Sequence, residues 1–325
     1  MSHPQPARPI TDGIDRAVFA ADVRAALART PRQLPSKYFY DELGSALFEA
    51  ICRLPWYRIT RAESALLARH ARAMLRGLAR PVTLVELGCG SGDKLAIVAE
   101  GAGSPAPQVQ IIDISAAALA MARHRLEAMG LRQVVAHHAT YEDGLARAVR
   151  ARPRDGALAV LFLGSNLGNF DPAVGRALLG RIRRLLRAGD VLLVGTDLVK
   201  PERDLLLAYD DPLQVTAAFN RNLLRRINDE LGGTFDLDHF VHRAVWRADA
   251  RRVEMHLVST RRQTVRVAAA GLEVAFADGE AIWTESSHKY EPEQVAGDGR
   301  DAGFDDVTQW IDPDAGFAVT RLGVD

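Results

Sequence analysis

Residues 85–92 form a glycine-rich segment, Val-Glu-Leu-Gly-Cys-Gly-Ser-Gly, that follows a short β-rich run. Glycine lets the backbone approach a ligand closely, and the helix expected to begin at Lys94 would place its partly positive N-terminus beside that ligand. Asp113 ends the next β-rich run, where a carboxylate can accept both hydroxyls of a ribose. This spacing predicts a nucleoside-containing cofactor site that includes Gly88, Gly90 and Asp113.

The spacing of the glycines distinguishes between two cofactors. A dinucleotide site normally reads Gly-x-Gly-x-x-Gly, whereas this chain has Gly-x-Gly-x-Gly preceded by Glu86. A carboxylate just before the loop suits a pyrophosphate poorly but is tolerable beside a sulfonium zwitterion. A predicted terminal hairpin at residues 306–322 also favours the sulfonium ligand over the dinucleotide. The pattern favours S-adenosylmethionine (SAM) over NAD, and a glycine turn without a ligand is the third alternative.

Residues 164–169 read Gly-Ser-Asn-Leu-Gly-Asn and follow the fourth predicted strand. Ligands of open α/β sheets bind beyond the carboxyl ends of the strands, so this loop would lie beside the cofactor. Asn169 could instead cap the next helix, but Asp171 followed by Pro172 already has the pattern of a helix start. We therefore expect Gly164 and Asn169 to contact a second, small substrate.

The composition excludes several other classes of function. The 325 residues contain 41 basic and 41 acidic side chains, which gives no electrostatic reason to expect binding to nucleic acid or to a membrane surface. Cys52 and Cys89 are the only cysteines and offer no zinc spacing; His239 and His242 fall in a predicted strand region, so we expect no metal site. With no apolar leader or membrane-length run, we expect a cytoplasmic protein.

The elements that must position these residues alternate along the chain. Strands are predicted at residues 83–87, 109–113, 134–138, 158–163 and 191–196, with helix-length segments between them. Strands joined by helical crossovers predict a parallel sheet with both faces covered, a Rossmann-like αβα sandwich. Residues 60–63, Thr-Arg-Ala-Glu, match a capping box. They predict a helix that starts at Thr60 and comes before the first predicted strand.

The pattern changes after residue 197. Residues 201–231 have helical periodicity, and residues 240–290 contain several alternating runs typical of strands. The overall prediction is an α/β protein in which a nucleotide-binding αβα domain carries an inserted α+β substrate-binding domain.

Several long motifs, in order from Leu34 to Leu322, resemble the histidine-specific Nα-methyltransferases of the ergothioneine pathway. They lie at residues 34–41, 54–57, 60–63, 164–169, 195–200, 208–211, 219–222 and 284–287. The resemblance implies a class I methyltransferase fold and SAM-dependent trimethylation of the α-amino group of L-histidine to the betaine hercynine.

The resemblance also implies roles for individual residues. Asn169 and Tyr209 would hold the substrate carboxylate and position the amine, and Tyr40 would lie near the amine and the methyl donor. The residues that would read the imidazole ring and shape its pocket are Phe48, Tyr57, Met255, Glu285 and Ser287. The expected cofactor-binding residues are Tyr40, Gly88, Gly90, Lys94, Asp113, Thr140 and Tyr141.

We expect residues 60–200 plus 291–325 to bind SAM, residues 13–59 plus 201–290 to bind the substrate, and residues 1–12 to form a flexible tail. A monomer is expected. Three alternatives remain at this point: a methyltransferase for another amino acid or amine, an NAD-dependent dehydrogenase, and a non-catalytic nucleotide-binding module.

Overall fold

The computed structural model describes residues 15–103 and 105–325, so the predicted tail at residues 1–12 lies outside the described residues. Its helices are α1 Arg16–Leu27, α2 Glu42–Arg53, α3 Ile59–Met74, α4 Asp93–Ala102, α5 Ala116–Ala128, α6 Tyr141–Ala151, α7 Pro172–Leu185, α8 Glu202–Tyr209, α9 Val215–Leu231 and α10 Pro292–Asp301. Within the described part of the chain, no helix is long and apolar enough to cross a lipid bilayer.

The strands belong to two larger sheets and a separate hairpin. They are β1 Arg32–Gln33, β2 Val82–Leu87, β3 Gln108–Asp113, β4 Val134–His138, β5 Ala157–Phe162, β6 Val191–Asp197, β7 Phe240–Arg247, β8 Arg252–Ser259, β9 Gln263–Val267, β10 Leu272–Phe276, β11 Ala281–His288, β12 Asp306–Asp312 and β13 Phe317–Gly323. The predicted strands of the nucleotide-binding region all form, with bounds within one or two residues of those expected.

The central sheet has the order β12-β13-β6-β5-β2-β3-β4. Strands β2 to β6 run parallel, and the terminal hairpin β12-β13 adds antiparallel to β6. Helices cover both faces, which explains why β2, β5 and β6 are buried along their whole length. The predicted Rossmann-like αβα fold is confirmed.

The strand order brings two loops together. The chain builds outward from β2 through β3 to β4 and then returns to the other side of β2 with β5. The loops that follow β2 and β5 therefore leave the same edge of the sheet in opposite directions, which opens a crevice between them. Ligands in open α/β sheets bind at this switch point.

A second sheet, β1-β11-β8-β7, and the hairpin β9-β10 pack with helices α8 and α9. The helical stretch predicted at residues 201–231 is two helices rather than one. The two sheets join where Tyr290 N donates to Asp197 O at 3.0 Å and Val199 N donates to Tyr290 O at 3.0 Å. One core cluster contains buried side chains of both parts, and a second cluster packs on the other face of the central sheet.

The predicted capping box at Thr60 is wrong. Helix α3 begins at Ile59, its N-cap is Arg58, and no side chain caps it. Glu63 is fully buried instead: both of its carboxylate oxygens accept a hydrogen bond from Gly164 N at 2.9 Å, and Lys94 Nζ lies 2.6 Å away. A distant amide and a half-buried cation satisfy the carboxylate better than the helix end would.

The close approach of β6 to Glu63 gives a test of this packing. A Cβ on Gly195 would lie 1.8 Å from Glu63 Oε1, so we expect Gly195→Ala to lower the free energy of unfolding by about 2 kcal/mol or more through overpacking. Gly297→Ala is the control: no atom lies within 4 Å of its Cβ position in α10, so it should be neutral or slightly stabilising. Equal urea denaturation midpoints for Gly195→Ala and the wild type would contradict this packing.

Candidate active site

The glycine loop after β2 packs tightly against neighbouring side chains. Gly88 has φ +76°, and a Cβ there would lie 3.1 Å from both Asn166 Nδ2 and Tyr141 Oη. A larger residue would therefore be strained in its backbone and crowded in its side chain. The loop leads directly into α4, whose first residue is Asp93.

A cavity that opens to solvent lies beyond the carboxyl ends of β2 and β3. Asp113, at the end of β3, lines it, and its Oδ1 accepts a hydrogen bond from Ser115 N at 2.9 Å. Burial raises the pKa of Asp113, and backbone N–H groups oppose that shift. The predicted cofactor residues that line this cavity are Tyr40, Gly88, Gly90, Asp113, Thr140 and Tyr141.

Lys94 is the one predicted cofactor residue that does not line this cavity. Its ammonium pairs with the buried Glu63 carboxylate at 2.6 Å. Burial lowers the pKa of Lys94, but its Coulombic attraction to Glu63 and the hydrogen bond between them outweigh burial and raise it overall. Lys94 therefore stays charged and helps to hold Glu63 against the loop after β5.

The loop after β5 turns sharply and then forms a short 3-10 helix, Asn166–Asn169. Gly164 and Ser165 both have positive φ, +76° and +57°, and Ser165 Oγ accepts a hydrogen bond from Asp197 N at 3.0 Å. Side chains three residues apart are eclipsed in a 3-10 helix, so Asn166 and Asn169 project to the same side. Asn169 was predicted from the sequence as a site residue, but Asn166 was not. The three-residue spacing of the two asparagines could have identified both.

A second, smaller cavity lies on the other side of these two amides. All of the predicted substrate-binding residues line it, together with Tyr40; they are Phe48, Tyr57, Gly164, Asn169, Tyr209, Met255, Glu285 and Ser287. The residues common to both cavities are Tyr40, Phe48, Asn166 and Asn169. The two cavities therefore adjoin along this wall.

A β-bulge decides which side chains of β11 reach the second cavity. Trp283 pairs with His256 and Glu285 pairs with Met255, so Thr284 is an extra residue in the ladder. Regular alternation would place Trp283 and Glu285 on one face of the sheet. The bulge separates them: Trp283 lies with His256 outside the cavity, and Glu285 faces into it.

The second cavity is aromatic, and the carboxylate in it is perturbed. The rings of Tyr40 and Phe48 meet edge to face at 5.7 Å, and those of Tyr57 and Tyr209 at 6.3 Å. Burial raises the pKa of Glu285 to about 7, and it raises those of Tyr40 and Tyr57 well above their ordinary value. The phenols are therefore neutral near pH 7, and Glu285 is the titratable acid of the cavity.

Lys289 is a buried residue behind this cavity that the sequence analysis missed. Its Nζ donates to Tyr209 Oη at 2.8 Å and to Ser287 Oγ at 2.9 Å, and it lies 2.9 Å from Asp197 Oδ2. Nothing in the local sequence separates this lysine from an exposed one, because Tyr209 and Asp197 are distant along the chain.

The histidines considered for a metal site have other partners. His242 Nδ1 contacts Asn220 Nδ2 at 2.9 Å, and His242 Nε2 contacts Tyr209 O at 2.8 Å. His239 Nδ1 contacts Thr260 Oγ1 at 3.1 Å. Across residues 15–103 and 105–325, no group of three or more His, Cys, Asp or Glu side chains is arranged to hold a metal ion.

Comparisons with known proteins agree with this architecture. The chain is 41% identical over 303 residues to a histidine N-alpha-methyltransferase of Mycolicibacterium smegmatis, covering 92% of each protein, and 39% identical over 303 residues to that of Mycobacterium tuberculosis, again covering 92% of each. It is 25% identical over 285 residues to Ergothioneine biosynthesis protein 1 of Neurospora crassa, covering 86% of this chain and 32% of that protein.

The family described as "Histidine-specific methyltransferase, SAM-dependent" matches residues 19–324, almost the whole chain. The cofactor of this family, SAM, agrees with the glycine spacing, with Asp113 and with the larger cavity. The family match therefore excludes the NAD-dependent alternative. The chain belongs to the family of SAM-dependent, histidine-specific methyltransferases.

Proposed function

We propose that this protein transfers methyl groups from SAM to the α-amino nitrogen of free L-histidine, three times in succession, to form hercynine for ergothioneine biosynthesis. The observation that carries the proposal is the shared wall of Tyr40, Phe48, Asn166 and Asn169, along which the larger and smaller cavities adjoin. The names of the relatives in Mycolicibacterium and Neurospora support the same substrate and pathway.

The larger cavity suits the cofactor. Gly88 and Gly90 leave room for close backbone approach, Asp113 would accept the ribose hydroxyls, and Thr140 and Tyr141 would border the adenosine. SAM would supply an electrophilic methyl group. The amine nitrogen would attack its carbon in line as the carbon–sulfur bond breaks, with S-adenosylhomocysteine as the leaving group. The protein's task is therefore mainly to position and orient the two reactants.

The smaller cavity suits an imidazole ring. Glu285 and Ser287 lie two residues apart on the same stretch of β11, Tyr57 faces them, and Met255 and Phe48 close the apolar sides. A neutral imidazole has one N–H donor and one nitrogen acceptor, which such a polar wall can match. A site built around such hydrogen bonds rejects isosteres that leave its polar groups unpaired.

The amine would lie at the shared wall. Asn169 would hold the substrate carboxylate and Tyr209 would lie beside it, which directs the α-nitrogen toward the larger cavity and Tyr40. Because burial keeps the Tyr40 phenol protonated, Tyr40 would orient the nitrogen rather than remove its proton, which would leave to water. The faces of Tyr40, Tyr57 and Phe48 tolerate the permanent cation formed by the third transfer.

We assign each ligand to the part of the chain that contains one of the two sheets. Residues 60–200 plus 291–325 would bind SAM, and residues 13–59 plus 201–290 would bind the substrate. Tyr40 and Phe48 come from the substrate part yet line both cavities, so the transfer would take place at the boundary between the parts.

The direct test incubates the purified protein with SAM and an equimolar mixture of free amino acids, followed by mass spectrometry. The expected product is histidine that carries one, two and finally three methyl groups. Methylation of another amino acid or amine alone would replace the proposed substrate. Calorimetric binding of S-adenosylhomocysteine without methylation of any amine would favour a non-catalytic binding module.

Glu285 provides a first prediction about specificity. We expect Glu285→Ala to raise the KM for L-histidine about a hundredfold, because a hydrogen bond from the ring to a buried charged group is lost. Affinity for S-adenosylhomocysteine should not change, since Glu285 does not line the larger cavity. The control is Glu273→Ala, which removes an exposed carboxylate from β10. Unchanged histidine kinetics in Glu285→Ala would remove this residue from substrate recognition.

The two amides of the shared wall give a second prediction. Asn169→Ala should lower kcat/KM for L-histidine about a hundredfold, because a misplaced amine loses the in-line geometry. Asn166→Ala should chiefly weaken binding of S-adenosylhomocysteine, since Asn166 Nδ2 lies 3.1 Å from the Cβ position of Gly88 in the glycine loop. Steady-state kinetics and calorimetry separate the two effects. Full activity in Asn169→Ala would mean that the amine lies elsewhere.

A further inference from the structure

Lys289 is a fully buried lysine at the junction of the two sheets. It follows β11, and its ammonium contacts Asp197 at the end of β6. Burial alone lowers the pKa of Lys289, but the attraction of Asp197 and the hydrogen bonds to Tyr209 and Asp197 raise it overall. The lysine is therefore a fixed positive charge directly behind the wall formed by Tyr209 and Ser287.

The Lys289 ammonium has a partner for each of its hydrogens. An ammonium has three hydrogens, and Lys289 directs them at Tyr209 Oη, Ser287 Oγ and Asp197 Oδ2, at 2.8, 2.9 and 2.9 Å. Tyr209 Oη and Ser287 Oγ are 2.7 Å apart, so one hydroxyl hydrogen lies between them. Only one hydroxyl hydrogen of the pair then remains for a ligand in the cavity.

The charge of Lys289 also reaches Glu285, which lies across the same wall. Burial raises the pKa of Glu285 to about 7, and Lys289 opposes that rise. The phenols of Tyr40, Tyr57 and Tyr209 line the same cavity as Glu285, and burial raises their pKa so that they are neutral. An ionised Glu285 alone would favour a protonated ring, whereas a fixed cation behind the hydroxyl pair disfavours one.

We propose that Lys289 is a positioning residue for the substrate. Its ammonium locks Tyr209 and Ser287 into one unit that offers a single hydroxyl hydrogen, places a positive charge behind that unit, and so makes the cavity select a neutral imidazole ring. This inference rests on the proposed function, because it concerns how the ring of L-histidine is held.

Lys200 provides a matched control for the role of Lys289. Its Nζ pairs with the other oxygen of the same Asp197 carboxylate at 2.6 Å and donates to Ala315 O, rather than to Tyr209 or Ser287. Lys289→Met and Lys200→Met each remove one lysine from Asp197. Only Lys289→Met removes the charge behind Tyr209 and Ser287.

The test measures steady-state kinetics with L-histidine over a range of pH. For Lys289→Met we expect the KM to rise tenfold or more, with a smaller change in kcat. The acid limb of kcat/KM should move to higher pH, because loss of a nearby cation raises the pKa of Glu285. Lys200→Met should keep the KM within about twofold of the wild type and the same acid limb.

An equal rise in KM for both variants would mean that Lys289 only holds the sheets together, and would overturn the proposal. So would an unchanged KM and acid limb in Lys289→Met. Affinity for S-adenosylhomocysteine and thermal unfolding verify that each variant is folded. Turnover of L-histidine by the wild type in the same assay reports on the proposed function separately.

A measurement on the wild type keeps the proposal testable if Lys289→Met does not fold. L-Histidine labelled with ¹⁵N in the ring is bound near pH 7 together with S-adenosylhomocysteine, which has no methyl group to transfer. We expect one protonated and one unprotonated ring nitrogen in the NMR spectrum. Two protonated nitrogens, the signature of a cationic ring, would overturn the proposal.

Discussion

The Glu63 carboxylate connects the three segments on which the site depends. From α3, its two oxygens share the single N–H of Gly164, in the loop after β5, and it pairs with Lys94 of the helix that follows the glycine loop. A buried ion pair stabilises a protein little unless its remaining hydrogen-bonding capacity is satisfied, and here the backbone N–H does so. Its main effect is geometric, because it fixes the cofactor loop and the substrate loop relative to each other. The absence of a side chain at Gly195 makes room for it.

The reaction geometry follows from strand order more than from any single residue. The glycine loop and the loop after β5 flank the point at which the sheet changes direction, so a cofactor held by one would lie beside a substrate held by the other. The 3-10 turn of the second loop then aligns Asn166 and Asn169 along the common wall. A methyl transfer that needs positioning rather than covalent help can rest on this framework.

The second sheet completes the site with chemistry that the central sheet lacks. Its β11 contributes Glu285 and Ser287, and the bulge at Thr284 turns them into the cavity and Trp283 away from it. Behind them, Lys289 meets Asp197 of the central sheet, so the polar wall of the substrate cavity is anchored at the junction between the two sheets. In the proposed function, substrate recognition and the association of the two parts would therefore use the same charges.

The sequence by itself determined the features that depend on local spacing. Alternating apolar runs predicted the parallel sheet, the glycines and Asp113 predicted the cofactor site, and the family resemblance predicted the residues that line the smaller cavity. Only the tertiary structure decided the roles of Glu63 and Lys289. Glu63 contacts Gly164, 101 residues away, and Lys289 contacts Tyr209, 80 residues away. Local patterns fix periodicity and turns, but the partner of a buried charge is chosen by strand order and packing. For that reason Glu63, which the local sequence predicts as part of a helix cap, instead connects α3 to the loop after β5.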